Sequence, residues 1–242
     1  MTDSKPLVVV TGASSGIGAA TATAFARRGY PLLITARRRD RLEQLDLPNT
    51  RIAAVDVADT EAMSAAIDAA VQAHGPVDLL VNNAGLMPLG TVAQQDPAQW
   101  RQLFEINVLA LLQLTRIVLP DMIARRHGTI MNLGSVAGRN IYDNHTVYNG
   151  TKFAVHAISE GLRREVAGHN VRVSVIAPGQ IATELLQTTT SEQIRDDYLA
   201  YRDSIGGALD ASHVADVIVS TYELPQQVCV REIVLAPTAQ DA

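Results

Sequence analysis

Apolar positions along the chain alternate between two rhythms. Leu7-Val8-Val9-Val10 is a short β-branched run ending at Thr11-Gly12, and an alanine-rich pattern follows from Gly18 to Arg28, where Gly29 stops it. The spacing predicts strand, tight turn, helix. The same alternation predicts strand 31–35, a helix near 40–45, strand 51–57, helix 60–74 and strand 77–81. Asp96-Pro97 supplies an N-cap and a proline at the first helical position, opening a long amphipathic segment to about Met122. Strand 129–133 follows, then a loop from Ser135 to about Thr146, a helix around 147–167 and strand 171–176, which Pro178-Gly179 ends. Residues 180–207 are more polar and less periodic, 210–222 reads as another helix, and 228–235 as a last strand.

The strands are apolar throughout rather than alternating, as expected of strands covered on both faces. The fold class is therefore α/β: one doubly wound (Rossmann) domain over residues 1–242, with a parallel sheet of about seven strands and helices on both faces. Ligands of such sheets bind beyond the carboxyl ends of the strands, where strand order reverses.

The first turn, Thr11-Gly12-Ala13-Ser14-Ser15-Gly16-Ile17-Gly18, places glycines where backbone must turn sharply and approach a pyrophosphate, with a helix N-terminus facing the anion. Its G-x-x-x-G-x-G spacing departs from the G-x-G-x-x-G fingerprint. The stretch Gly12 to Gly16 also matches the G-x-S-x-G nucleophile elbow of hydrolases, but it follows the first strand, with no earlier one to supply an oxyanion donor. After the second strand comes Ala36-Arg37-Arg38-Arg39-Asp40. With no carboxylate at the strand end to hold a ribose 2′-hydroxyl, Arg37 and Arg38 suit a 2′-phosphate, which points to NADP(H).

Composition narrows the partners. Twenty Lys and Arg against 25 Asp and Glu give a net charge of −5, with the basic residues dispersed, so no nucleic-acid surface is expected. The longest apolar stretch, 108–120, is interrupted by Gln113, Thr115 and Arg116 and argues against a membrane span. A single cysteine, Cys229, excludes an internal disulfide, and the short polar leader before Pro6 is unlike a signal peptide, so a cytoplasmic protein is expected. The six histidines show no metal-ligand spacing, and no metal is expected.

Tyr148 and Lys152 stand four residues apart, on one face of a helix, where an ammonium would stabilise a phenolate and bring Tyr148 toward useful acid/base chemistry. Ser135 lies just past a strand end, able to hold a substrate oxygen, and Asn107 sits inside the long helix despite its weak helix propensity.

With the phosphate turn, Asp56-Val57, Asn82-Asn83-Ala84-Gly85, Asn107-Val108, Ser135, Tyr148 with Lys152, and Pro178-Gly179 with Thr183 in order, the whole chain resembles the short-chain dehydrogenase/reductase family. The resemblance implies a catalytic tetrad of Asn107, Ser135, Tyr148 and Lys152 beside NAD(P)(H). In it Tyr148 would exchange the proton and also contact the cofactor, Ser135 would orient the reacting oxygen, Lys152 would bind the nicotinamide ribose and Asn107 would hold a water. It implies Asp56 and Val57 near the adenine, Asn83, Ala84 and Gly85 near the adenosine ribose, and Ile181 with Thr183 near the carboxamide, beside Pro178 and Gly179. Gly134 departs from the family, where many members carry a second serine, and Asn149-Gly150 puts two weak helix formers into the catalytic helix. The ending 231–238 and the Ala-Arg-Arg turn resemble the branch containing clavulanic acid dehydrogenase and 3-hydroxy acid dehydrogenases.

The expected reaction is hydride transfer between NADP(H) and a small polar carbonyl or alcohol. Residues 86–89, 136–145 and the segment 184–207, read as a mobile lid, would wall the substrate pocket. Met87, Tyr142 and His145 join Ser135 and Tyr148 as substrate contacts, and Arg139, Arg195 or Arg202 could receive a carboxylate. The resemblance implies a homotetramer or homodimer through the long helices and last strand, with Trp100, Phe104 and Leu111 candidates for that face. The alternative is a non-catalytic NADP(H)-binding redox sensor, which has no need of an intact tetrad. An epimerase or dehydratase is a further alternative, for which the C-terminal part leaves little room.

Overall fold

A computed structural model describes residues 5–241. Strands β1 (Leu7–Thr11), β2 (Leu32–Ala36), β3 (Thr50–Ala54), β4 (Val77–Asn82), β5 (Gly128–Leu133), β6 (Val171–Pro178) and β7 (Glu232–Leu235) form one sheet in the order β3-β2-β1-β4-β5-β6-β7. Every pairing is parallel. The order reverses between β1 and β4, so the two strands part at their carboxyl ends and leave a crevice.

Period-two alternation sends successive side chains of one strand to opposite faces, and both faces are buried. Val8 and Val10 of β1 pack with Phe25 of α1 (Gly16–Arg27) and with Val214 and Ile218 of a C-terminal helix (Ala211–Tyr222). Leu7 and Val9 pack on the other face with Met63 and Ile67 of the helix Thr60–His74 and with Leu114 and Val118. Burying one such Leu or Val stabilises the fold by about 1.5–3 kcal/mol.

The structure redraws three elements. The long helix begins as expected at Asp96, whose side chain accepts from the Ala98 N–H at 2.8 Å with Pro97 at the first position. It then runs as Pro97–Phe104, one π turn at Glu105–Leu109, and Ala110–Arg125. At 29 residues this helix is long and apolar enough to cross a membrane, which the interrupted stretch 108–120 did not suggest, but 44% of its most apolar window is buried within the protein. The polar segment 180–207 contains a helix, Glu192–Ser204, capped by Ser191, whose Oγ accepts from the Ile194 N–H at 3.4 Å. The last strand covers only Glu232–Leu235. Residues before it run beside β6 with isolated bonds, Ser174 Oγ to the Val230 carbonyl at 2.6 Å and the Val175 N–H to that of Arg231 at 2.9 Å.

Candidate active site

The carboxyl ends of β1, β4, β5 and β6 and the loops after them enclose a cavity of about 470 Å³. Gly12, Ser14, Ser15, Gly16 and Ile17 line one end. Gly12 and Gly16 have φ of 67° and 53°, the left-handed region that glycine enters without a Cβ clash. Gly18 lies beneath the cavity wall, where a Cβ would meet the Gly12 carbonyl and Asn83, so its place is in helix–strand packing rather than on the ligand side.

Arg37 and Arg38 line the same end. Arg38 donates from Nη2 to Ser14 Oγ and Ser15 Oγ at 2.9 Å each. Its Nη1 donates to Glu184 at 3.0 Å, and Arg41 Nη1 meets both oxygens of that carboxylate at 2.6 and 2.7 Å. The two guanidinium groups, Arg41 foremost, hold Glu184 below the usual carboxylate range. Arg41 and Glu184 were not singled out in the sequence; the one available signal was that Arg41 follows Arg37 at helical spacing. Asp56, Val57, Asn83, Ala84 and Gly85 line the adjoining wall. Asn83 Nδ2 donates to the Thr11 carbonyl at 2.8 Å and Thr11 Oγ1 accepts from the Asn83 and Ala84 N–H groups at 3.0 Å, stitching β1 to β4 at the switch point. Positive-φ glycines, two serine hydroxyls and paired guanidinium groups fit a pyrophosphate and a 2′-phosphate, as NADP(H) carries. Pro178, Gly179, Ile181 and Thr183 form the opposite wall.

At the other end stand Ser135, Tyr148 and Lys152, all lining the cavity. Tyr148 and Lys152 belong to the helix Thr146–Val166. Ser135 caps the short turn Val136–Gly138, its Oγ accepting from the Ala137 N–H at 3.1 Å and donating to the Pro178 carbonyl at 3.4 Å. Lys152 Nζ donates to the Leu133 carbonyl at 2.8 Å and lies 5.7 Å from the Tyr148 ring centroid. Burial brings Lys152 down to about 8 and pushes Tyr148 above the ordinary phenol range, with Ser135 pulling back. The lowering of Tyr148 expected from Lys152 together with an oxidised nicotinamide does not come from Lys152 alone. Desolvation outweighs an ammonium aimed at a backbone carbonyl, and Tyr148 holds its proton.

Asn107 does not reach the main cavity. It sits in the π turn, a local geometry frequent at functional sites, and with Lys152 lines a second cavity of about 10 Å³, close to the volume one water needs. Its Oδ1 accepts from the Leu86 N–H at 2.9 Å, while Nδ2 donates to the Leu86 carbonyl at 3.0 Å and to Thr151 Oγ1 at 3.1 Å.

The substrate side departs most from expectation. Met87 lines the cavity, but Tyr142 and His145 do not. The helix Glu192–Ser204 lays Tyr198 in front of them, stacked on His145 at 6.2 Å between centroids, and Tyr198 faces the cavity instead. His145 Nδ1 lies 2.6 Å from the Asp143 carbonyl, and Tyr142 Oη is buried without a partner. Of the three arginines only Arg202 lines the cavity. Arg139 pairs with Glu232 at 3.2 Å, and Arg195 donates to the Thr189 carbonyl at 2.8 Å. Asn149 is accounted for: buried, it donates to the Ala137 and Asn140 carbonyls at 2.6 Å each, fastening the loop after Ser135 to the helix of Tyr148.

The family model described as short chain dehydrogenase matches residues 6–194. Sulfoacetaldehyde reductase 2 of Chromohalobacter salexigens is 38% identical over 97% of this chain and 95% of its own length. A probable NADP-dependent dehydrogenase of Haemophilus influenzae is 35% identical over 96% and 93% respectively. Among solved structures, the closed form of serine dehydrogenase complexed with NADP+ superposes with a TM-score of 0.89 at 31% identity, covering 98% of this chain and 96% of the other.

Proposed function

This chain belongs to the short-chain dehydrogenase family as an NADP(H)-dependent oxidoreductase, and from that membership we propose that it interconverts a small polar aldehyde or ketone and its alcohol, with Tyr148 as acid/base. The observation that carries this reading is the Tyr148 phenol lining, with Ser135 and Lys152, the same cavity as the glycine turn and Arg38. In reduction, Ser135 and Tyr148 both donate to the carbonyl oxygen, and Tyr148 passes its proton to that oxygen as negative charge grows there. NADPH, when bound, supplies the hydride to the carbonyl carbon. Lys152, the nearest cation to the ring, would stabilise the resulting phenolate and support proton return.

Gly12, Ser14, Ser15, Gly16 and Ile17 would hold the pyrophosphate and Arg37 and Arg38 the 2′-phosphate, while Asp56, Val57, Asn83, Ala84 and Gly85 would flank the adenosine. Pro178 through Thr183 would face the nicotinamide end. The names of the relatives support a small polar substrate, sulfoacetaldehyde in one and serine in another. Arg202 and Tyr198 on the lid segment offer polar contacts for it.

Phe104 and Phe153 expose 43% and 40% of their surface on the two long helices, as do Leu109 and Leu112 at 44% and 39%. A Cβ at Gly150 would meet nothing nearer than Phe104 at 3.9 Å, so that face is open to a partner helix. We assign it, with exposed Val234 on edge strand β7, to homotetramer contacts in a cytoplasmic enzyme. Leu111, by contrast, is buried in the subunit, and Trp100 donates to Gln95 at 3.0 Å.

The test is oxidation of NADPH and NADH over a panel of aldehydes, ketones and 3-oxo acids. Turnover with NADPH supports the proposal. Tight NADPH binding without turnover on any carbonyl favours the sensor reading.

A further inference from the structure

Tyr148, Lys152 and His156 recur at every fourth position of the helix Thr146–Val166, so one face carries all three toward the end of β5. The His156 ring is wedged between the two glycines that flank Ser135 and its turn. A Cβ at Gly134 would run into its Nε2, and one at Gly138 would come within 2.6 Å of the ring. The missing second serine at 134 is therefore replaced by an imidazole reaching in from the helix. Only 15% of the His156 side chain is exposed. Its Nε2 lies 3.5 Å from the Ser135 backbone nitrogen, on the accepting side, and its Nδ1 lies 3.3 Å from Glu232 Oε1. The same Glu232 oxygen is 3.2 Å from Arg139 Nη1. A neutral imidazole has one N–H and one acceptor, so the carboxylate fixes the proton on Nδ1 and leaves Nε2 to accept from Ser135.

We propose that His156 is a positioning residue for the reaction: it holds the Ser135 backbone through Nε2 while Glu232 sets its tautomer. The inference rests on the reading of Ser135 as the group that orients the reacting oxygen. Protonation of the ring puts a second N–H against the Ser135 N–H and turns the contact repulsive, so Ser135 leaves its position beside Tyr148. The charges facing the ring are Glu232 from β7, Arg139 after the turn Val136–Gly138, and Lys152 from its own helix. Burial holds the imidazole below its usual range, Lys152 and Arg139 adding to that and Glu232 and the Ser135 backbone contact opposing. Activity should then fall as the pH drops below the ordinary titration range of histidine.

The experiment compares kcat against pH for the wild type, His156→Gln, His156→Leu and Glu232→Gln, with NADPH affinity measured separately by fluorescence titration. Glutamine can accept from Ser135 but does not titrate. His156→Gln should stay within ~3-fold of wild type at about pH 8 and lose the acid limb. His156→Leu should lose ~10-fold in kcat at every pH with NADPH affinity unchanged. Glu232→Gln should move the acid limb to lower pH. Independently of turnover, imidazole 15N shifts should report His156 as the Nδ1–H tautomer. The Nε2–H tautomer, an unchanged acid limb in His156→Gln, or wild-type kcat in His156→Leu overturns the positioning role. Tyr148→Phe as active as the wild type would instead overturn the assignment of the reaction to this site.

Discussion

Arg38 grips the Ser14 hydroxyl with two of its nitrogens, Nε at 3.2 Å and Nη2 at 2.9 Å. The contact joins the turn after β2 to the turn after β1, so the groups assigned to the 2′-phosphate and to the pyrophosphate are positioned together. A charge-assisted bond to phosphate contributes about 1.5–3 kcal/mol. Arg38→Ala should therefore weaken NADPH binding ~10–100-fold and NADH binding by less than ~3-fold. Fluorescence titration with both cofactors checks this, and equal losses would move Arg38 out of the 2′-phosphate site.

Lys152 makes stability depend on pH. Its folded value of about 8 lies below the ~10.4 of an unfolded chain, so between the two the unfolded chain binds the extra proton. Stability rises with pH wherever the unfolded state holds more protons. The desolvation penalty is thus complete below about 8 and is relieved as pH rises toward the unfolded value. Tyr148 acts oppositely, because its raised folded value lets the unfolded chain ionise first above ~10. Without cofactor, the wild type should gain on the order of 1–2 kcal/mol relative to Lys152→Met between pH ~8 and ~9.5. Urea unfolding of both proteins at these two pH values measures it, and parallel curves would contradict it.

What was legible in the sequence is what depends on local spacing. The run Leu7 to Val10, the glycine turn after it and the four-residue step from Tyr148 to Lys152 specify their geometry within one or two turns of chain. The helix Glu192–Ser204 was not legible, because Ile194 and Tyr198 are apolar against a cluster formed by Met87, Leu103 and Tyr148, far away in sequence. That helix is also what the sequence did not show over His145, on whose ring Tyr198 stacks. The π turn around Asn107 is equally tertiary: the side chain is held by Leu86 and Thr151, 21 and 44 residues distant. Gly134 was visible as a departure, but its cause, His156, lies on another element.

That cause makes Gly134→Ser a sharp test of packing. The new Cβ would run into His156 Nε2 and come within 2.7 Å of Val175 Cγ1. Overpacking of this kind costs about 1–3 kcal/mol. The double variant Gly134→Ser with His156→Ala should recover much of that loss, because the ring no longer occupies the space. A double-mutant cycle on thermal unfolding reads the coupling, and additive losses would show that the glycine and the imidazole do not compete.

The central claim is that Tyr148 moves the proton, beyond any share it has in holding the cofactor. The direct measurement is kcat/KM for wild type and Tyr148→Phe with NADPH and a carbonyl from the panel, beside the NADPH Kd of each. The account predicts a fall of ~10²–10⁴-fold in kcat/KM with Kd within ~2-fold. A Tyr148→Phe enzyme that turns over at near wild-type rate, or one whose activity falls only in proportion to lost NADPH binding, would contradict it.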